Sequence, residues 1–194
     1  MENFHVLVDR IYGSFILEIH YVFIFTAMTT TYLEVPRATV LLKMNGDSVS
    51  KRLQKELMEL LTSKDKSVTA FPDGENLTRW LASIRGPDGT VYEGQQYKLS
   101  LEFGPNYPYS PPNVRFVSKC YHPNVDTRGV ICLDILKEMW SPLLTVENLL
   151  LSIRSLLAEP NNDSPLNGQA AQLWSNPSAF RAEMMKFQAS SSNS

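Results

Sequence analysis

Tyr121-His122-Pro123-Asn124, then Gly129-Val130-Ile131-Cys132-Leu133-Asp134-Ile135-Leu136, then Trp140-Ser141-Pro142: these strings share one stretch without regular periodicity, from Ser118 to Pro142. A connection of that length inside a compact domain is usually functional or disordered. This one is too apolar to be disordered. It holds both cysteines of the chain, Cys120 and Cys132, and the histidine nearest to them, His122. Taken singly, these residues are ambiguous. A cysteine in an apolar run is more often core filler than nucleophile. A histidine before proline more often shapes a turn. A cysteine hydrolase would pair Cys132 with His122 as base and Asp134 as orienter, and the spacing alone neither establishes nor excludes it. Zinc would need a fourth ligand beside Cys120, His122 and Cys132, and the body of the chain offers no further cysteine or histidine. No metal site is therefore expected.

On the N-terminal side of this stretch the pattern is strand-like. Leu77 to Arg85, Tyr97 to Phe103 and Val114 to Val117 are rich in apolar, β-branched and aromatic residues. Gly86-Pro87-Asp88-Gly89 and Pro72-Asp73-Gly74 read as turns. Ahead of them, Ser48 or Ser50 is a candidate cap for a helix with Leu53, Leu57, Leu60 and Leu61 on one face. Lys51, Arg52, Lys55 and Glu59 fall off that face. On the C-terminal side, Val146, Leu149, Leu150, Ile153, Leu156 and Leu157 recur at helical spacing, and Pro160 ends the run. Ala170, Leu173 and Trp174 suggest a short helix. Pro177 opens a last one, with Phe180, Met184 and Phe187 inward. Helix, antiparallel meander, irregular segment, then helices is an α+β order with one sheet face packed on helix.

The 194 residues suffice for one domain and an extension. A formal net charge of −2 gives no reason to expect nucleic acid or a strongly basic partner. Two cysteines cannot build a disulfide framework, which fits a reducing compartment. Residues 1–47 differ in character. The run Phe15 to Phe25 is apolar, but Glu18 and His20 interrupt it, and it is shorter than the ~20 residues a membrane span needs. With Glu2 and Asp9 near the start it does not read as a signal peptide either. Residues 1–47 are expected to be an atypical extension: a membrane-associating segment, a packed appendage or, slightly favoured, a spurious translation. Residues 48–189 form the domain, and 190–194 a flexible polar tail.

The combination of strings decides among the readings. His-Pro-Asn ten residues ahead of a cysteine, followed by Leu-Asp-Ile-Leu and a tryptophan, resembles the active-site signature of ubiquitin-conjugating enzymes. Tyr107-Pro108-Tyr109-Ser110-Pro111-Pro112, Glu159-Pro160-Asn161 and Ser164-Pro165-Leu166 are further marks of that family in the right order. The resemblance covers about residues 48–189. It implies an N-terminal helix, a four-stranded antiparallel meander, the irregular active-site segment and C-terminal helices. It also implies that Cys132 carries ubiquitin as a thioester, with no cofactor bound and ATP used upstream by the activating enzyme.

Other roles are carried over in the same way. Asn124 would steady the loop or the oxyanion formed when a lysine attacks. His122 and Pro123 would be structural. Asp134 and Ser164 would shape the entrance for the lysine, though many relatives carry Asp where this chain has Ser164. Lys51, Arg52 and Lys55 resemble the face that docks the activating enzyme. Tyr109, Pro142 and Leu143 match the loops that meet a RING-type ligase, and Leu151 and Ser155 match the surface that holds the carried ubiquitin. Ser67-Val68-Thr69-Ala70-Phe71-Pro72 and Lys119-Cys120-Tyr121 resemble the C-type enzyme that serves the anaphase-promoting complex. That implies cell-cycle degradation in the cytoplasm and nucleus. Ser141-Pro142-Leu143-Leu144 is closer to generalist members. A carrier for another ubiquitin-like modifier is the alternative on the same fold.

Overall fold

The computed structural model describes residues 48–190; the expected extension over residues 1–47 and residues 191–194 lie outside it. Helix α1, Ser48–Thr62, buries Val49, Leu53, Leu57 and Leu60 along one stripe. Leu61 is only half-buried, at the margin of that stripe. Ser50 lies inside the helix and does not cap it.

Four strands follow: β1 Val68–Asp73, β2 Asn76–Arg85, β3 Gln96–Glu102 and β4 Asn113–Phe116. They pair antiparallel in sequence order, which is the expected meander. Alternation sorts their side chains. Val68 and Ala70, then Trp80, Ala82 and Ile84, then Tyr97, Leu99 and Leu101, then Val114 and Phe116 are buried. Their neighbours Leu81, Arg85, Lys98, Glu102 and Arg115 are exposed. One sheet face therefore carries the core, and α1 and the helix over Val146–Ala158 pack near it.

Two connections differ from the sequence reading. Pro72 and Asp73 belong to β1, whose pairing runs to Asp73 opposite Asn76. The reversal falls on Gly74, which takes φ 59°, a left-handed value that glycine adopts without strain. Gly86 to Gln95 is not a tight turn but a longer excursion that returns to pair Gln96 with Arg85. It is longer because it carries Tyr92 into the core, fully buried, with its hydroxyl donating to Tyr121 O at 2.8 Å.

Helix α2, Val146–Ala158, starts at Thr145, whose side chain accepts from Asn148 N while Asn148 answers on the Thr145 backbone. It buries Val146, Leu149, Leu150, Ile153, Leu156 and Leu157, and ends at Glu159, before Pro160. Helix α3, Gly168–Leu173, is capped by Asn167, and helix α4, Pro177–Ala189, by Asn176. Phe180 and Met184 are buried, and Phe187 is half-buried over Tyr121. Of the tail expected over residues 190–194, only Ser190 is described. Lys119 Nζ donates to Ser190 Oγ at 2.8 Å and to Phe187 O at 3.3 Å, which ties Ser190 to the body. Among the described residues, no helix is long and apolar enough to cross a membrane.

Candidate active site

The segment after β4 is irregular in pattern but fixed by hydrogen bonds. Its first return runs beside β4, where Phe116 N donates to Gly129 O at 2.9 Å and Arg115 bridges to Val130. Only glycine fits at 129. Its φ is 81°, and an added Cβ would meet Phe116 O at 2.1 Å. Asp126 builds the turn that leads there: its carboxylate accepts from Arg128 N and Val130 N, both at 2.8 Å. Burial would raise the pKa of Asp126, but these bonds and the Arg128 guanidinium hold it below the ordinary carboxylate value. The second return brings Ile131 to Val125, and Cys132 N donates to Asn124 O at 2.9 Å. Cys132 is thereby locked to the backbone of the His-Pro-Asn string.

The two thiols differ. Cys120 is buried in the core, and burial pushes its pKa far up, which keeps it a neutral thiol. Cys132 is half-buried, and Lys137 Nζ donates to its Sγ at 3.3 Å. The sequence reading gives Lys137 no role at Cys132; its position five residues after the cysteine, across the turn Asp134–Leu136, is the signal that finds it.

His122 is fully buried and is not a base for Cys132. Its Nδ1 accepts from Asn124 N at 3.0 Å, and its Nε2 lies 2.8 Å from Leu156 O. A carbonyl only accepts, so Nε2 carries the proton and the ring is neutral. Both nitrogens are engaged by backbone, which removes the hydrolase triad and the zinc reading together. Burial lowers the His122 pKa to about 4, partly opposed by the bond to Leu156 O. In the unfolded chain it titrates near 6.5. Between these values the unfolded chain binds more protons, so the stability present above pH 6.5 is lost as pH falls towards 4. The slope is at most about 1.4 kcal/mol per pH unit. Urea unfolding of the wild-type chain should show this slope between pH 6.5 and 4.5, and His122→Gln should flatten it. An identical slope in both would assign the effect to other groups.

Asn124 is the node of the site. Its side chain is fully buried: Nδ2 donates to Asn161 O at 2.6 Å, and Oδ1 accepts from Asn161 N at 2.8 Å. Pro123 O accepts from Leu166 N at 2.8 Å and Asn167 N at 2.9 Å. The loop that carries Ser164 is therefore pinned at both ends to Pro123 and Asn124, and Asn124 also holds Cys132. Ser164 itself is exposed on that loop. Asp134 is exposed, opens the short 3-10 turn Asp134–Leu136 and accepts from Ile135 N through Oδ1 at 2.7 Å. The cap position of that turn is Leu133, so Asp134 is not its cap.

A sequence model of the family "Ubiquitin-conjugating enzyme" matches residues 52–188, most of the chain. The chain belongs to the ubiquitin-conjugating enzyme family. It is 52% identical over 145 residues to the "Ubiquitin-conjugating enzyme E2-20 kDa" of Schizosaccharomyces pombe, covering 74% of this chain and 82% of that protein. Its structure is similar to a ubiquitin-conjugating enzyme domain of Toxoplasma gondii, with TM-score 0.65 and 39% identity over 72% of this chain and 96% of that one. The α+β architecture expected from the sequence is that of this ubiquitin-conjugating fold. As a member of the family the enzyme works with ubiquitin, an activating enzyme and ligases.

The remaining residues singled out in this ubiquitin-conjugating enzyme spread over three surfaces. Lys51 and Lys55 are exposed on α1. Lys55 makes an exposed ion pair with Glu59 at 3.7 Å, whereas Arg52 is half-buried and held more closely: it ion-pairs with Glu56, and its Nη2 donates to Leu144 O at 2.9 Å. Helical spacing places it off the leucine face but does not reveal these partners. Tyr109 is 82% exposed and Leu143 87%, while Pro142 is half-buried. Trp140 ties the two loops together, donating through Nε1 to Pro108 O at 2.8 Å. On α2, Leu151 is half-buried against the core and Ser155 is exposed.

Proposed function

We propose that Cys132 takes ubiquitin from the activating enzyme as a thioester and releases it, with a RING-type ligase, onto a substrate lysine. The observation that supports this most directly is the contrast of the thiols: Cys120 sealed in the core, Cys132 reachable beside Lys137. In discharge, the amine nitrogen attacks the thioester carbonyl carbon. The C–N bond forms, the C–S bond breaks, the electron pair leaves on the Cys132 sulfur, and the amine gives up a proton. A lysine amine is protonated in water, with a pKa of about 10.4, and desolvation at the entrance shaped by Asp134 and the Ser164 loop favours loss of that proton. Asn124 serves this step by holding that loop against the irregular segment that carries Cys132. Incubating the chain with ubiquitin, activating enzyme and ATP, and with another modifier in parallel, tests the reading. A thiol-sensitive adduct with ubiquitin supports it; adduct with the other modifier alone overturns it.

Lys51 and Lys55 suit the activating-enzyme face, and Tyr109, Pro142 and Leu143 the ligase face, because apolar tips exposed on loops mark interfaces. Leu151 and Ser155 suit the carried ubiquitin. Tyr109→Ala and Leu143→Ala should leave loading intact and cut ligase-stimulated discharge by about fivefold or more, since losing a central apolar anchor commonly costs over ~1 kcal/mol. Undiminished stimulation in both variants removes these loops from the contact. The finer assignment, service to the anaphase-promoting complex in the cytoplasm and nucleus, rests on the strings around Val68 and Cys120. Discharge stimulated by that complex, compared with other RING ligases, tests it. Preference for the others would favour the generalist carrier suggested by Ser141 to Leu144.

A further inference from the structure

One carboxylate of α1 is buried outside the active-site segment. Glu56 is 1% exposed. Its Oε1 accepts from the Tyr107 hydroxyl at 2.7 Å and from Arg52 Nε, and its Oε2 accepts from Val146 N at 2.6 Å. Val146 is the first residue of α2, where unpaired N–H groups and the helix dipole favour an anion. Arg52 extends the junction by donating to Leu144 O at 2.9 Å. Three donors from three elements thus converge on one side chain.

Two of those elements, the Tyr107 loop and the start of α2, lead to exposed apolar tips. Tyr107 stands two residues before Tyr109, whose N donates to Asn106 O at 2.7 Å. Leu144 follows Leu143 directly and Val146 comes two residues later; Leu144 N closes a turn onto Ser141 O at 3.0 Å. Trp140 fastens the opposite side of the same pair of loops through Pro108 O.

We propose that Glu56 is a positioning residue for ligase docking, setting the backbones under Tyr109 and Leu143 so that a ligase meets both tips preformed. The proposal rests on the reading of Tyr109, Pro142 and Leu143 as the ligase face. Loops already fixed in the bound shape lower the entropy lost on association. Loosening them therefore weakens binding without touching the chemistry at Cys132. A carboxylate is required for this. An amide at position 56 offers a single oxygen, and its NH2 would face a donor.

Glu56→Gln and Tyr107→Phe test the idea. Each is loaded with ubiquitin, freed of activating enzyme and ATP, and discharged onto free lysine while an isolated RING domain that stimulates the wild-type chain is titrated. The half-saturating RING concentration should rise about tenfold in Glu56→Gln and about threefold in Tyr107→Phe. Discharge without the RING domain, and the maximal stimulated rate, should stay within about twofold of wild type. An unchanged half-saturating concentration, or a basal rate that falls in step, overturns the proposal. Where Glu56→Gln does not fold, Tyr107→Phe decides, because it removes one bond and leaves the carboxylate paired with Arg52 and Val146. Tyr109→Ala runs alongside. If it leaves the RING response unchanged, the ligase face itself is misassigned; if it weakens the response and the other two do not, only the role of Glu56 fails.

Discussion

Cys132→Ser is expected to end turnover and leave a single ubiquitin attached through an ester that survives thiol reductant. A serine oxygen in the same place still meets the activated carboxyl group, but the ester it forms is far less reactive towards amines than a thioester. Removing a covalent nucleophile costs on the order of 10^6-fold in kcat in enzymes where it has been measured, so no multiple turnover should be detectable. Cys120→Ser is the counterpart. That position is buried, so a hydroxyl without a partner there costs about 1–3 kcal/mol of stability. Charging should nonetheless proceed at nearly the normal rate, and Cys120→Ala should charge normally with a smaller loss of stability. Gel analysis with and without reductant checks all three. Loss of charging in the Cys120 variants with retention in Cys132→Ser would reverse the assignment.

Asn124→Ala is the second large effect. It deletes the two hydrogen bonds to Asn161 and leaves that residue's N–H and C=O without their partner. Asn161 is exposed, so water can take up its freed groups; each lost bond costs about 0.5–1.5 kcal/mol, and unfolding should become easier by about 1–3 kcal/mol. The kinetic consequence is uneven. Charging needs a reachable Cys132 thiol, and Cys132 N is held by the Asn124 backbone, which alanine retains. Discharge needs the Ser164 loop in place, and misplacement by about 1 Å in an active site can cost 10²-fold. Single-turnover discharge onto lysine should therefore slow by about 10²-fold while charging changes only a few-fold. Equal losses in both steps would point to a collapsed loop.

Spacing made the helices legible. The leucines of α1 and α2 repeat every three or four residues, and Pro160 and Pro177 mark an end and a beginning. The strands were legible to within about a residue at each end, because alternation persists to the last pair while turn residues intrude. β1 was obscured by Pro72, which reads as a turn although it sits opposite Trp80 in the ladder. The excursion after Gly86 was hidden because nothing local announces that Tyr92 is core. The site was legible through the order of its motifs, whereas its wiring was not. Glu56 and Glu59 look alike on the helix, yet Glu56 is buried and Glu59 only half-buried. What separates them lies 51 and 90 residues away, in Tyr107 and Val146. Asn124 had two readings, and its partner Asn161 lies 37 residues on, beyond the reach of any local pattern.

The return of Gly129 and Val130 alongside β4 has a consequence for self-association. A four-stranded meander ends in two margins whose free backbone groups invite another chain to add a strand, the route to polymers and aggregates. At β4, Phe116 N is already bonded to Gly129 O and Arg115 already faces Val130. The stretch that presents the nucleophile thus also occupies that margin. A side chain at position 129 would push it off, exposing a strand edge as well as displacing Cys132, so solubility and charging should be lost together at this position.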